Sequence, residues 1–329
     1  MIFAAVALLG CENEHPGGPL HKQDNAIAFG QVATRADLSD IQTGGFGVWA
    51  TFSNSKQTNY ALMENTKVTY KPESRVWEYD DTKYWIDNTV FNFVAAYPYD
   101  EAGNIFTFDS DANAVSLSVS DTPSTEDYLL ATATVDTSAE GFDPGNAVEL
   151  QFRHLLTNVS LNIWREGVKH QNDQMRVRKV TLSNIRKGGT YSSSTNTWAP
   201  TGEKLTLSYE NDAVADTDNI GAAMIKDDGT LQPGGTPSKP FAEQLLIPQT
   251  IGGSNSVSLK IEYELKRQNA ADWETAELET ILPSITWESG RQYTYNVVLS
   301  SVTDITVYYI QTKVDPWGTP QVGGTVIIK

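Results

Sequence analysis

One cysteine, Cys11, and four histidines, His15, His21, His154 and His170, are the only thiol and imidazole groups in the 329-residue chain. A lone cysteine excludes an intramolecular disulfide. No HExxH motif or His/Cys cluster supports a zinc site, so no metal is expected. Gly-x-Ser-x-Gly, P-loop and dinucleotide fingerprints are all missing, and no cofactor is implied. Basic residues are scarce, 24 against 41 acidic, for a net charge of −17. Such a surface repels phosphate backbones, which argues against a nucleic-acid partner, and it gives no attraction to anionic lipid. The 41 acidic residues could supply carboxylate pairs for glycoside hydrolysis, but nothing local selects a pair. The apolar run at residues 2–9 is too short to span a bilayer, and no second run reaches spanning length. Sustained helical periodicity is also lacking.

What remains is rich in Thr, Ser, Val, Tyr and Trp, with 40% hydrophobic and 10% aromatic residues. That composition favours an all-β protein, and the length suggests about two domains. Phe46, Val48, Ala50 and Phe52 alternate. So do Phe91, Phe93, Ala95 and Tyr97, then Val115, Leu117 and Val119, as half-buried strands do. Residues 67–70, 76–79, 105–108 and 128–135 read as further strands. After a polar stretch at 138–146, the strands at 147–164 change phase over residues 154–158, which suggests a bulge or a change of sheet. Further strands are expected at 175–182, 205–209, 244–247, 257–265, 273–281, 292–299 and 304–311, with a Gly/Pro-rich loop at 227–240. The expected division is a signal segment at 1–11, a linker at 12–25, a first domain at 26–146 and a second at 147–329.

The front of the chain carries the most distinctive pattern. Leu8-Leu9-Gly10-Cys11 follows the short apolar run and reads as a lipidation signal on Cys11, with attachment to the membrane through lipid alone. Ile27, Phe29 and Val32 then form a β-like run. Arg35 follows, between Thr34 and Ala36, in a setting that suits a protease requiring arginine before the cut. An ordinary surface arginine is the alternative. Elsewhere, His154 follows Phe152 in a strand and reads as a packed structural histidine. Residues 109–113 have the acidic spacing of a calcium loop but lack its glycine and distal glutamate, so a plain turn is preferred. Of the eight tryptophans, Trp49, Trp77, Trp85, Trp164 and Trp287 fall in strand patterns, where core packing is the default over a sugar-stacking platform.

Taken in order, several segments resemble the fimbrillins of Bacteroidetes-type (type V) pili. They are Leu8–Cys11; Thr34-Arg35-Ala36 ahead of Phe46-Gly47-Val48-Trp49-Ala50; Phe152-Arg153-His154-Leu155-Leu156-Thr157-Asn158-Val159; Trp287 with Gly290 ahead of Tyr293-Thr294-Tyr295; and Val314-Asp315-Pro316-Trp317. The resemblance covers nearly the whole chain. It implies two β-sandwich domains of transthyretin-like topology in tandem. It also implies export as an outer-membrane or cell-surface lipoprotein and cleavage between Arg35 and Ala36 by an arginine-specific protease. The cut would remove the first strand, residues 26–35 with Ile27, Phe29 and Val32. A strand from a neighbouring pilus subunit would replace it. Donor candidates are Ile305, Val307 and Tyr309, or Val326, Ile327 and Ile328 in the tail. The expected function is structural and non-enzymatic, a fimbrial subunit serving in adhesion to host or bacterial surface ligands. The alternative from another class is a surface-exposed glycan-binding lipoprotein; a secreted hydrolase is a third.

Overall fold

The computed structural model of the chain describes residues 25–34, 38–167, 172–212, 215, 218–226, 230–299 and 308–316. Among these are twenty-one strands and one short helix. The strands of the first part are β1 (Phe29–Thr34), β2 (Phe46–Ser53), β3 (Tyr60–Lys71), β4 (Val76–Glu78), β5 (Val90–Tyr97), β6 (Phe106–Asp109), β7 (Ala114–Val119), β8 (Leu129–Asp136) and β9 (Val148–His154). Then come β10 (Thr157–Glu166), β11 (Gln174–Ser192), β12 (Thr197–Glu210), β13 (Ala222–Ile225), β14 (Leu231–Pro233), β15 (Ser238–Leu246) and β16 (Gln249–Ile251). The last are β17 (Ser258–Lys266), β18 (Glu274–Ile281), β19 (Ile285–Trp287), β20 (Arg291–Leu299) and β21 (Tyr308–Pro316). The helix α1 (Leu38–Gly44) stops at Gly45, whose φ of 70° only glycine adopts freely and whose N–H donates to Ile41 O at 2.8 Å.

The fold is all-β. One seven-stranded sheet runs β1-β9-β8-β5-β2-β3-β4. Its ladder is antiparallel except at β1, which lies parallel to β9. A second sheet runs β14-β13-β10-β20-β21, with β15 on the side of β10. A third runs β18-β17-β11-β7-β6, with β12 along β11. The two-stranded pair β16 and β19 completes the set.

Among the described residues, three large cores and a small cluster of Trp164, Ala223 and Val298 follow from which faces these sheets turn inward. Phe46, Val48, Phe91, Phe93, Leu150 and Phe152 join Ile27, Phe29 and Ile41 in the first. The opposite face of the same sheet sends Trp49, Val94 and Leu130 onto Leu117, Tyr191 and Ile247 in the second. Strand β2 is therefore buried on both faces, although its alternation reads as a one-sided strand. The third core lies between the second and third sheets. Val159, Leu161 and Ile163 of β10 and Tyr293, Tyr295 and Val297 of β20 meet Val180 and Leu182 of β11 and Leu259 and Ile261 of β17 there. In it the Trp287 indole N–H donates to the Tyr295 hydroxyl at 2.9 Å, which satisfies both polar groups in an apolar setting.

Two strands tie these cores together. Strand β9 runs straight into β10 through Leu155 and Leu156, both fully buried. Leu155 O accepts from the Trp198 indole and from Ser289 Oγ, each at 2.9 Å, and Gly290 N donates to Leu156 O at 2.9 Å. Strand β11 pairs with β17 over Gln174–Ser183 and with β7 over Gly189–Ser192. Its register against β12 shifts twice in between, at Ser183/Ile185 and Arg186/Gly188. Bulges there bend a long strand so that it serves two cores.

The structure differs from the sequence expectations at several places. The polar stretch at 138–146 is a loop between β8 and β9, which are neighbours in one sheet. Val148, Leu150 and Phe152, expected to open a second domain, belong by pairing and packing with the strands before them. The expected loop at 227–240 contains β14 and the start of β15; Pro233 sits on an outermost strand, where a missing N–H breaks no ladder. The last strand runs to Pro316 rather than stopping at Gln311.

Candidate assembly site

The first strand lies at one margin of the seven-stranded sheet and also touches the other. On the β9 side, Val148 N donates to Ala28 O at 2.7 Å, and Phe29 is in register with Val148, Val32 with Leu150 and Thr34 with Phe152. On the far side, Ile27 N donates to Lys83 O at 2.8 Å and Trp85 N to Asn25 O at 3.1 Å. The Tyr79 hydroxyl donates to Ile27 O at 2.7 Å. Residues 79–85 follow β4, the opposite margin of the sheet. Segment 25–29 therefore closes the gap between the two margins.

Its side chains complete the first core. Ile27 is 2% and Phe29 4% exposed. The Phe29 ring packs edge-on against Tyr79 at 5.6 Å, Phe93 at 6.0 Å and Phe46 at 6.4 Å between centroids. Burial pushes the Tyr79 phenol above its ordinary pKa; the Lys83 N–H bond opposes the shift more weakly. Val32 lies in β1; Arg35 and Ala36 fall outside the described residues, as does Cys11. In the chain they lie between the end of β1 at Thr34 and the start of α1 at Leu38.

Of the donor candidates, Tyr309 is in register with Val298 of its own chain in β21. Strand β21 forms the outer margin of the second sheet. Ile305, Val307, Val326, Ile327 and Ile328 lie outside the described residues. Removal of the first strand would leave β9 as a bare edge above an open core, whereas β21 is an edge already paired along its length.

The other candidate residues occupy structural positions. His154 is 3% exposed, and its Nδ1 lies 2.6 Å from Asp127 Oδ2. Residues 109–113 form the turn from β6 to β7. The Asp109 carboxylate caps Asp111 N at 2.9 Å and Ala112 N at 3.1 Å, an acceptor role that needs no cation. Among the described residues no group of three His, Cys, Asp or Glu is placed to hold a metal. Among the described residues the tryptophans are taken up by packing rather than by a sugar platform. Trp49, Trp85, Trp164 and Trp287 are buried, Trp77 packs on Phe46 and Tyr70, and Trp273 lies under Arg176 at 3.9 Å.

A family model described as fimbrillin-like matches residues 34–317. The chain belongs to the fimbrillin-like family. Membership makes it a structural protein of the cell surface rather than an enzyme. No curated protein sequence matches it. Among solved structures, a fimbrial protein from Bacteroides vulgatus is similar at 18% identity with a TM-score of 0.65, over 89% of this chain and 99% of that one. A candidate cell adhesion protein from Bacteroides uniformis gives 18% and 0.47, over 89% and 98%. Another from Bacteroides ovatus gives 16% and 0.49, over 91% and 99%. At these identities the likeness to the Bacteroides vulgatus protein concerns the fold. The motif from Phe152 to Val159, noted in the sequence of this fimbrillin-like protein, is the passage from β9 to β10.

Proposed function

We propose that this fimbrillin-like protein is a subunit of a cell-surface pilus that assembles by strand exchange and serves in adhesion. It is exported as an outer-membrane lipoprotein through Cys11. An arginine-specific protease cuts between Arg35 and Ala36 and so frees the segment from residue 26 to Arg35. A C-terminal strand of a neighbouring subunit then takes the vacated place beside β9. The body of the subunit is two transthyretin-like sandwiches in tandem, with the changeover at Leu155–Leu156 rather than at residue 147.

The observation that carries this reading is the position of Ile27 and Phe29. They are core residues, yet Phe29 opens the margin strand β1 and Ile27 lies just ahead of it, both at the front of the chain. A strand so placed can leave without threading through the fold. Its departure bares the unpaired groups of β9 and an apolar cleft, which favours replacement by β-strand addition. Burying each large anchor contributes about 1.5–3 kcal/mol, against about 0.5–1.5 kcal/mol net per backbone bond, so anchors dominate affinity and pairing sets register. The match to the family begins at Thr34, one residue before Arg35, which fits a family body that starts where the cut falls. Because Tyr309 is engaged with Val298, the tail with Val326, Ile327 and Ile328 is the preferred donor over Ile305, Val307 and Tyr309.

The test is Arg35→Ala in the full chain, followed by N-terminal sequencing of the surface protein and separation of polymers by size. The expected product keeps residues 26–35 and stays monomeric. Polymer at normal levels would refute cleavage at Arg35 as the trigger. Truncation before Gly323 tests the donor separately, and unchanged assembly would remove the tail from that role.

A further inference from the structure

At Gly30, β1 passes closer to its neighbour than a side chain allows. A Cβ placed there would lie 2.8 Å from the Cβ of Ala147. That methyl is fixed directly to the backbone and has no rotamer by which to move aside. The register slips at the same place. Phe29 pairs with Val148 and Val32 with Leu150, so β1 carries one more residue than β9 across this step, a bulge that suits glycine. Just before it the strand is clamped on both sides, by Val148 N to Ala28 O and by Ile27 N to Lys83 O. A slide of one residue would turn Phe29 out of the core. A strand whose carbonyl takes the place of Ala28 O on Val148 N presents the same position to Ala147.

We infer that Ala147 is a size filter, and that the groove beside β9 admits only a strand with glycine directly after its second apolar anchor. This rests on the strand-exchange reading above and names the register of the incoming partner. In the tail, an apolar residue directly precedes glycine at Trp317-Gly318 and at Val322-Gly323. The second pair is followed by Gly324-Thr325-Val326-Ile327-Ile328, which can run beside β9 as Gln31 to Thr34 do, whereas Pro320 would interrupt the same stretch after the first. The occupant is thus the tail of a second copy, with Val322 in the place of Phe29 and Gly323 in that of Gly30; Pro320 then takes the place of Ile27 and brings no N–H to Lys83 O, so the bond from Val148 N to the carbonyl of Gln321, in the place of Ala28, holds this register.

The experiment uses the full chain with its own first strand loosened by Phe29→Ala, and Ile27→Ala as a second host should the first not fold. A labelled peptide of residues 320–329 and its Gly323→Val form are titrated against each host and read by fluorescence anisotropy. The native peptide should bind, and the Gly323→Val peptide should bind at least about tenfold more weakly, from the overpacking it forces. Adding Ala147→Gly to the host should restore the weaker peptide. Equal binding of both peptides to the Ala147 hosts would overturn the size filter while leaving strand exchange standing. No binding of the native peptide to any loosened host would overturn strand exchange and this inference together.

Discussion

Replacing Phe29 by alanine asks whether the first strand is a separable unit. The ring is 4% exposed and lies within 6.4 Å of three other aromatic rings, so alanine leaves a cavity that the fixed rings cannot fill. Phe→Ala at such a site costs about 3–5 kcal/mol. At 1.4 kcal/mol per decade, protection of amides that depend on the strand should fall by about two to three and a half orders of magnitude. Three amides report directly: Ile27, whose N–H meets Lys83 O; Trp85, whose N–H meets Asn25 O; and Val148, whose N–H meets Ala28 O. Hydrogen exchange followed by NMR or mass spectrometry, with and without low urea, separates the two possible outcomes. A local opening exposes little surface. The three amides should then exchange faster than those of β20 and change little with urea. If instead they share the opening free energy and urea dependence of β20 in both wild type and variant, the strand leaves only when the whole molecule unfolds. Exchange of the strand between subunits would then have no open state to start from.

Other outcomes follow from particular contacts. Gly188→Ala places a Cβ 2.5 Å from Val119 O, a backbone atom, and should cost about 1–3 kcal/mol in urea denaturation, with β7 released from β11. Tyr295→Phe removes the acceptor of the Trp287 indole in a fully buried site and should cost about 1–3 kcal/mol, visible as a changed tryptophan emission. Burial raises the pKa of Tyr79, Tyr263, Tyr293 and Tyr295, so their neutral forms stabilise the fold fully below the unfolded value of about 10. That stability is lost as pH rises toward the folded values. Tyrosinate absorbance should therefore appear together with unfolding, and Tyr295→Phe should flatten the alkaline decline. Asp100 is held below the ordinary carboxylate range by backbone N–H bonds, first from Asn104 and then from Ile105 and Ala102. Its contribution is present above the unfolded value and lost in acid, so Asp100→Asn should weaken the acid dependence of the turn after β5.

Strands with a clean period of two were legible in the sequence, and the reason is local. In β17, Leu259, Ile261, Tyr263 and Leu265 are buried while the residues between are half-exposed, as alternation requires. The change of phase at 154–158 was also legible, and the structure makes it the passage from one sheet to the next. Ile27 and Phe29 could be read as inward-facing, but not their partner, since parallel pairing with β9 joins segments more than a hundred residues apart and leaves no local mark. The length of β11 was hidden by Asn184, Gly188 and Gly189, which read as turn residues. They are required because Asn184 adopts a φ of 76° and the backbone at Gly188 approaches Val119. The stretch at 138–146 has the composition of a linker, but only packing distinguishes a linker from a loop within a sheet. The seven-residue α1 is too short to show a helical period.

The connectivity bears on how a subunit of this family carries load. The edge bared by loss of β1 belongs to β9, and β9 continues covalently into β10 through Leu155 and Leu156. Strand β10 lies parallel to β20 over eight residues, from Asn158 with Gln292 to Arg165 with Leu299, and β20 carries β21 in register from Arg291 with Pro316 to Leu299 with Tyr308. A pull applied along a strand seated on β9 and resisted through the chain beyond β21 thus passes through one covalent crossing and two ladders loaded along their length. In ladders pulled along their length the bonds, slanted between parallel β10 and β20 and perpendicular between antiparallel β20 and β21, share the load and fail together, whereas bonds at the end of a hairpin fail one by one. The crossing is where the two directions of pull meet. There Leu155 O is held by Trp198 and Ser289, and Leu156 O by Gly290, elements that lie far apart in the chain. Trp198→Phe removes one of these bonds and keeps the ring packing on Tyr191. It should lower the unfolding force in single-molecule pulling from residue 146, just ahead of β9, to residue 316 more than it lowers equilibrium stability, which is expected to fall by only about 0.5–1.5 kcal/mol. A drop in force no larger than that of an equally destabilising change in β18, which lies off this path, would show that the crossing bears no special share of the load.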